Sequence, residues 1–311
     1  MIERQVVCAD LSRSIDDLHR DGFRLEVIYP ADEPHTALLS KGRESVRLTS
    51  RPDLPPLGED LEPFVAEFAV TRSGASPGHG RAGMLYRDLI PGRLGGRYIA
   101  SHIFIPQGGP VGDWVHFHRL VLQMIYVRRG WVRVVYEDQG EPFVMREGDL
   151  VLQPPEIRHR VLESSPGLEV IEISAPALHP TFAEHQLQLP NGYNPHRQFG
   201  RQRFLHHIAA RSGWASVAGA EVQETQVSSA SSGLADVRTM RRGEGSSIEF
   251  DPHRGELVFG FVLSGEARLE FGGEHHLRAA DSFVIPPDES WSLSTMSPDF
   301  SLLHVATSML D

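Results

Sequence analysis

The sequence is poor in cysteine and has no long apolar run. Cys8 is the single cysteine among 311 residues, so the chain cannot form an internal disulfide, and this fits a reducing compartment. No apolar stretch approaches the roughly 20 residues that a membrane-spanning helix needs. The first residues lack the charged-then-apolar pattern of a secretory signal. We therefore expect a cytoplasmic protein with no membrane partner.

Basic clusters are missing as well. Acidic residues number 41 against 30 lysines and arginines, the formal net charge is −11, and the arginines are scattered. A nucleic-acid surface needs concentrated positive charge, and no helix-turn-helix pattern is evident, so we expect no nucleic-acid partner. The 22 prolines and 29 glycines instead indicate a turn-rich β protein, and 40% apolar composition supplies a sizeable core.

Two short segments, 116–130 and 148–159, carry the strongest functional signal. His116 and His118 alternate on a strand-like run, and residues i and i+2 of a strand point to the same face. Gln123 follows on the next run, and His159 lies on a separate one. Imidazole is a versatile metal ligand. These four side chains predict a site for one divalent transition metal ion.

The two segments resemble the two motifs of the cupin superfamily. The spacing from the histidines through Gln123 to Gly130, and from Gly148 to the last histidine, fits both motifs throughout. Gln123 stands where the family usually has glutamate, Glu156 replaces the second glycine of the second motif, and Pro110 stands where the first motif opens with glycine. The resemblance implies a jelly-roll barrel whose metal is held by the histidines, with ligation by Gln123 left open.

The pattern occurs a second time, closer to the carboxyl end. Sliding the chain on itself places Gly265 on Gly130, and segment 280–291 on segment 148–159. In this alignment, the residues that match the four predicted metal ligands are Asp251 for His116, His253 for His118, Val258 for Gln123 and Trp291 for His159. Because valine and tryptophan cannot bind a metal, the second barrel should keep the fold and lose the site.

We therefore expect a mainly β protein with two tandem cupin barrels and a small N-terminal α+β module. The expected division is a βαβββ module at 1–52, a linker at 53–81, a metal-binding barrel at 82–176, a connecting segment at 177–220 and a degenerate barrel at 221–311. Ser14 is the expected cap of the module's helix, which should run to about Arg20. The module's element order resembles one module of the vicinal oxygen chelate fold. It carries no metal-ligand set, so a role in packing or dimerisation is favoured.

The ligand set has consequences for chemistry. Three imidazoles and an amide are all neutral, so a bound ion would keep its +2 charge and attract anionic groups. Three or four protein ligands leave a coordination position open, which is typical of catalytic sites. Fe(II) is favoured as the cofactor, and Mn, Ni, Zn or Cu are also compatible with nitrogen and oxygen ligands. No organic cofactor site is expected.

Three-histidine cupins resemble a group of iron oxygenases that includes gentisate-type and β-diketone-cleaving enzymes. This resemblance implies a non-haem Fe(II) dioxygenase acting on a small anionic aromatic or diketone compound. Strand alternation places His102 on an inward face with Tyr98 and Ala100, either as a candidate acid or base beside the metal or as a packed core histidine. A metal-dependent isomerase or decarboxylase with Mn, Ni or Zn, and a non-catalytic module that binds a small molecule, stay open. The outward-facing Trp131 is compatible with a homodimer.

Overall fold

Strands dominate the computed structural model, which describes residues 2–54, 61–74, 77–79, 83–245 and 247–310. The mainly β class expected from the composition is confirmed. Pro55, Pro56, Ala75 and Ser76 of the expected linker lie outside the described residues. Within the described ranges, no helix is long and apolar enough to cross a membrane.

The N-terminal residues form a small sheet with one helix, in the expected order βαβββ. The elements are β1 Ile2–Val7, α1 Leu11–Arg20, β2 Arg24–Tyr29, β3 Thr36–Lys41 and β4 Glu44–Thr49. The spatial order is β1-β4-β3-β2, and β1 runs parallel to β4. Leu11 of the helix shares an apolar cluster with Leu39 and Val46 of the sheet, which gives this unit its own small core.

The helix begins earlier than the sequence pattern predicted. Asp10, not Ser14, is its N-cap, because the Asp10 carboxylate accepts a hydrogen bond from the Arg13 amide at 3.0 Å. Ser14 lies inside the first turn, where its hydroxyl donates to the Asp10 carbonyl at 2.7 Å. Aspartate and serine are both strong caps, so the residue types alone do not decide between them.

Two sheets build the first barrel. The strands up to its end are β5 Ala69–Thr71, β6 Gly78–His79, β7 Leu85–Asp88, β8 Ile99–Ile105, β9 Gly109–Pro110, β10 His116–His118, β11 Leu122–Arg129, β12 Trp131–Tyr136, β13 Phe143–Arg146, β14 Leu150–Leu152, β15 His159–Ser164 and β16 Leu168–Ala175. One sheet contains β14-β11-β16-β8-β7-β6, and the other contains β10-β15-β12-β13 with β9 beside β15. A short 3-10 helix at Arg93–Gly96 precedes β8.

The segment between the barrels supplies strands to its neighbours. These are β17 Thr181–Ala183, β18 Gln198–Phe199, β19 Gln202–Arg203, β20 Leu205–His207 and β21 Ala215–Val217. β17 lies between β10 of the first barrel and β2 of the N-terminal sheet, and β20 extends the first barrel beside β14. A short 3-10 turn, Ala209–Arg211, follows β20.

The second barrel repeats the pairings of the first. Its elements are β22 Ala220–Glu224, α2 Val227–Ala230, β23 Ala235–Arg242, β24 Ile248–Phe250, β25 Val258–Ser264, β26 Glu266–Glu270, β27 Glu274–Arg278, β28 Ser282–Ile285, β29 Trp291–Ser294 and β30 Ser301–Thr307. β25 pairs with β28 and β30 just as β11 pairs with β14 and β16. β5 pairs with β28 at the sheet edge, although it precedes the first barrel in the chain.

Gly130 marks the point where the first barrel changes sheets. The flanking strands β11 and β12 follow each other directly in the chain, but they pair with different partners and lie in different sheets. Gly130 has a φ of 83°, and a Cβ there would lie 2.4 Å from Ser165 Oγ. Only glycine meets both requirements without strain.

The barrels pack back to back through their larger sheets. One apolar cluster joins Tyr98, Ala100 and Ile171 of the first barrel to Phe259 and Val305 of the second. The opposite face of the first barrel's sheet therefore points inward. Along β11, Met124 lies in the shared core while Gln123 faces the interior of the first barrel. This arrangement assigns alternate residues to the core between barrels and to the site.

Candidate metal centre

The structure brings the three predicted histidines together. β10 pairs with β15 so that His116 lies directly opposite His159, and His118 lies two residues along the same face. One ring nitrogen from each residue lies within 4.8 Å of the others, and all three side chains are buried. The His116 and His159 ring centroids are 4.2 Å apart. The pairing of β10 with β15 therefore brings together three imidazoles from two separate segments of the sequence.

Backbone carbonyls orient each imidazole. Nδ1 of His116 lies 2.7 Å from the Trp114 carbonyl, Nδ1 of His118 lies 3.3 Å from the Pro180 carbonyl, and Nδ1 of His159 lies 3.0 Å from the Ile157 carbonyl. A carbonyl only accepts, so the proton sits on Nδ1 and the lone pair on Nε2. Metal-binding histidines are commonly oriented in this way. The donor set thus fits a divalent transition metal ion.

Gln123 lies in the same cavity, but a hydrogen-bond chain occupies both ends of its amide. The Tyr136 hydroxyl donates a hydrogen bond to Gln153 Oε1 at 2.6 Å. Burial raises the pKa of Tyr136 well above its usual value, so the hydroxyl keeps its proton. Gln153 Nε2 then donates to Gln123 Oε1 at 2.9 Å, and Gln123 Nε2 donates to Glu172 Oε1 at 2.9 Å. The amide oxygen that would bind a metal is already an acceptor for Gln153.

Glu172 and Gln153 are site residues that the sequence analysis missed. Glu172 lies on β16, where Leu168, Val170 and Glu172 share the inward face. A carboxylate among inward apolar residues was a usable signal. Its presence also corrects the electrostatic expectation, because the cavity holds one acidic group and is not lined by neutral groups alone. Ser174 adds a hydroxyl hydrogen bond to Glu172 Oε1 at 3.2 Å.

The cavity in front of the histidines is small and mostly apolar. Its volume is about 80 Å³. Ligand pockets for drug-sized molecules are larger, at roughly 300–1,000 Å³. Its apolar walls include Ile103, Ile125, Val132, Val134, Met145 and Val161. The polar groups cluster at the histidine end, so the space suits a small molecule with a polar end and an apolar body.

His102 does not line this cavity, so the structure contradicts its candidate role beside the metal and agrees with the alternative of a packed core histidine. It shares a face of β8 with Tyr98 and Ala100, as expected, but that face points to the second barrel. His102 Nε2 lies 2.9 Å from Glu169 Oε2, and Arg87 lies 3.0 Å from its Nδ1. Burial lowers the pKa of His102. Alternation predicts which residues share a face, but not where the face points.

The arginines beside His159 differ from each other. Arg158 packs over the Phe117 ring and donates to Glu184 at 3.1 Å, away from the cavity, as the alternation predicts. Arg160 contributes to the cavity wall, although strand alternation placed it on the other face. The pairing of β15 with β12 is regular from His159 to Val161, and its register shift lies beyond that, between Val161 and Glu163.

Aromatic side chains fill the corresponding place in the second barrel. Trp291 pairs with Phe250 across β24 and β29, as His159 pairs with His116, and the two rings stack with centroids 3.7 Å apart. This register puts Phe250 at the position of His116, whereas the gap-free repeat placed Asp251 there. His253 Nε2 lies 3.1 Å from the Ile285 carbonyl. Among the described residues, only the first barrel brings three metal-binding side chains together.

Comparisons with known proteins agree with the two-barrel architecture. A cupin domain model matches residues 238–299, which lie in the second barrel. Oxalate decarboxylase from Bacillus subtilis is 12% identical with a TM-score of 0.57, and the match covers 83% of this chain and 80% of that one. Another structure of that enzyme is described by its Mn(II) centres. No curated protein matches the sequence.

Two further solved structures are similar over most of their length. A glyoxylate-induced protein from Pseudomonas aeruginosa, assigned provisionally, is 13% identical with a TM-score of 0.58, covering 81% of this chain and 92% of that one. Protein Ylba from E. coli is 12% identical with a TM-score of 0.56, covering 78% and 93%. At these identities the likeness shows the fold alone.

Proposed function

We propose that this two-barrel cupin protein is a metal-dependent enzyme, and specifically a non-haem Fe(II) dioxygenase acting on a small anionic aromatic or diketone substrate. The observation that carries the proposal is the group of three buried histidines, each oriented through Nδ1, at the polar end of an apolar cavity. A closed structural site would have four protein ligands. Here the fourth candidate, Gln123, already holds hydrogen bonds at both ends of its amide.

The chain's own residues suggest how a substrate would bind. His116, His118 and His159 would hold the metal through Nε2, and Fe(II) so held would supply a Lewis-acidic, redox-active centre for an anionic substrate and O₂. The apolar walls would exclude water and pack on the substrate body. Glu172 is the carboxylate at the polar end, so it is the group placed to accept a proton from an enol or phenol.

A decarboxylase or isomerase using Mn, Ni or Zn is the second candidate. The similarity in fold to the Bacillus subtilis oxalate decarboxylase favours it. The mostly apolar walls favour a substrate body larger and less polar than that of oxalate, because Arg160 is the basic side chain in the wall that could pair with a second carboxylate and most other wall residues are apolar. A small keto acid with an apolar body would fit this alternative better.

Oxygen uptake and CO₂ release separate the candidates. The protein, stripped with a chelator, is reloaded anaerobically with Fe(II), Mn(II), Ni(II) or Zn(II) and given dihydroxybenzoates, β-diketones or keto acids. We expect substrate-dependent oxygen uptake with Fe(II) alone. CO₂ release without oxygen uptake would support the second candidate. Neither signal, with one metal bound per chain, would leave an isomerase or a non-catalytic binding module.

A further inference from the structure

A second, smaller cavity lies beside the metal centre and is closed by the N-terminal module. Its volume is about 30 Å³. It shares Tyr86, His118 and Glu172 with the larger cavity, and Asp32, Ser101 and His179 are the other polar residues that line it. We call this space the acceptor cavity. Asp32 lies at this cavity because the neighbouring Ala31 amide donates a hydrogen bond to the His179 carbonyl at 3.0 Å, where the N-terminal sheet meets the first barrel.

Two buried acceptors in this cavity have no hydrogen-bond partner in the structure. His179 is 3% exposed, and its Nδ1 lies 2.9 Å from the Pro176 carbonyl, so Nε2 carries a lone pair that no group satisfies. Asp32 pairs through Oδ2 with Arg93 at 2.9 Å, while its Oδ1 is buried without a partner. Unsatisfied buried acceptors are costly, so an occupant that donates hydrogen bonds is expected.

The spacing of these acceptors does not suit a metal ion. A transition metal with bonds of about 2.1 Å needs its ligand atoms within roughly 4.2 Å of one another. Among the described residues, only the three ligand histidines form a group within 4.8 Å. A donor with hydrogen bonds of about 2.9 Å can instead span acceptors up to roughly 5.8 Å apart.

Charge distinguishes between the donors that could occupy the space. The volume exceeds the roughly 10–15 Å³ needed for one water-sized group. Asp32 and Glu172 bring two carboxylates to the cavity, whereas Arg93 supplies one positive partner to Asp32. In the chain without a metal ion on His118, a cationic donor therefore compensates more of the buried negative charge than a water molecule would.

We propose that the acceptor cavity binds a protonated amine, and that the substrate carries this amine together with the anionic group that faces the metal. The proposal rests on the proposed function, because both cavities meet at His118 and Glu172. It narrows the substrate class to small molecules with an anionic chelating end and an ammonium end. It also gives the N-terminal module a role in substrate recognition through Asp32.

Ammonium ion is the simplest probe and needs no metal. Thermal unfolding of the metal-free full chain is measured in equal concentrations of ammonium, methylammonium, potassium and tetramethylammonium chloride. We expect ammonium to raise Tm by about 2–4 °C over potassium, as for a ligand present well above its Kd. Tetramethylammonium has no N–H group and should behave like potassium. Equal Tm values in ammonium and potassium would overturn the proposal and leave water as the occupant.

Three variants locate the effect. His179→Asn keeps a side-chain donor in the position of Nδ1, so it can still bond the Pro176 carbonyl, but it removes Nε2 from the cavity. Asp32→Asn removes the carboxylate charge. The matched control is His185→Gln at the same interface, where His185 bonds the Leu25 carbonyl at 2.8 Å outside the cavity. The ammonium shift should vanish in the first two variants and persist in the control. Its persistence in His179→Asn would contradict the assignment even if Asp32→Asn does not fold.

Paired substrates connect the cavity to catalysis. For two active compounds that differ only by an amine, we expect the amine-bearing compound to have at least a tenfold lower KM. His179→Asn should abolish that ratio, and His185→Gln should keep it. An equal KM for both compounds, with oxygen uptake intact, would refute the amine subsite and leave the dioxygenase proposal standing. If no oxygen uptake is found while ammonium still raises Tm, the dioxygenase proposal would be refuted and the amine site would stand.

Discussion

At the residue scale, orientation separates His118 from its counterpart in the second barrel. His118 presents Nε2 to two other imidazoles, because its Nδ1 faces the Pro180 carbonyl. His253 has the reverse arrangement, since its Nε2 lies against the Ile285 carbonyl and Phe250 and Trp291 fill the neighbouring space. The same residue type therefore has opposite roles in the two barrels.

We expect His118→Ala to reduce bound metal to near zero and His253→Ala to leave it at one ion per chain. The reason is that two imidazoles without a third ligand hold a transition metal weakly, whereas His253 has no companion ligands. Elemental analysis after loading and desalting measures both. Two metal ions per wild-type chain, or metal loss in His253→Ala, would contradict the single-site assignment.

Glu172 is the acidic side chain of the cavity, which also has the basic Arg160 in its wall. Glu172→Gln should keep the hydrogen bond from Gln123, because the new amide oxygen can accept it, while it removes one negative charge near the metal. We expect azide to bind the Co(II)-loaded variant roughly tenfold more tightly. Ser174→Ala is the control, since it loses a contact with Glu172 and keeps the charge. Equal azide affinity in wild type and Glu172→Gln would refute this electrostatic role.

At the element scale, turns decide how successive strands reach different sheets. Gly130→Ala should destabilise the fold by about 2–4 kcal/mol, because φ is 83° and the new Cβ would meet Ser165 Oγ at 2.4 Å. Gly167→Ala is the matched control, with a φ of 65° and open space, and should cost only about 1 kcal/mol. Urea unfolding compares them, and equal losses would show that crowding is unimportant.

β30 carries a buried histidine that makes stability depend on pH. Burial lowers the pKa of His304 to about 4, with further lowering by Arg238 and His253. The unfolded chain, with an ordinary pKa near 6.5, then binds a proton at a higher pH than the folded chain does. Stability from this residue is complete above pH 6.5 and falls as the pH drops toward 4, by about 3 kcal/mol at most.

We therefore expect His304→Phe, which keeps an aromatic ring beside Phe250 and Trp291, to lose less stability than wild type between pH 7.5 and pH 5. Urea unfolding at both pH values measures the slope. His276→Phe, on an exposed strand of the same barrel, controls for loss of a surface imidazole. A wild-type slope retained in His304→Phe would show that other groups cause the dependence.

At the scale of the whole molecule, polar links pin the two barrels together. Arg97 of the first barrel pairs with Glu256 of the second at 2.7 Å, and their side chains are 11% and 0% exposed. Tyr98 also donates to Glu256 at 3.0 Å. Because these groups lie at the edge of the shared apolar core, they fix the position of one barrel against the other.

Arg97→Met should destabilise the protein by roughly 3–5 kcal/mol, because it leaves a buried carboxylate without its cation. Arg133→Met is the control, since Arg133 and Glu163 form an exposed pair that contributes about 0–1 kcal/mol. Differential scanning calorimetry would measure both. A loss for Arg97→Met no larger than for Arg133→Met would show that Glu256 is neutralised by other means.

The cluster of three histidines, the repeated barrel and the absence of a matching cluster among the described residues of the second barrel could be predicted from the sequence. Motif spacing is local, and strand alternation fixes which neighbours share a face. His116 and His118 could therefore be paired directly, and Trp291 could be recognised as unable to bind a metal. The sequence does not reveal that Phe250 takes the position of His116, because one extra residue between strands shifts the register without leaving a clear mark in the sequence.

Only the tertiary structure decided what surrounds those histidines. Glu172, Gln153, His179 and Asp32 come from β16, two connecting segments and the N-terminal module, and strand pairing across sheets brings them to one place. Alternation likewise gave His102 the right companions, while the packing of one barrel on the other turned that face away from the cavity. The local sequence pattern determines which side chains of a strand share a face. Which other elements that face contacts depends on interactions between residues far apart in the chain.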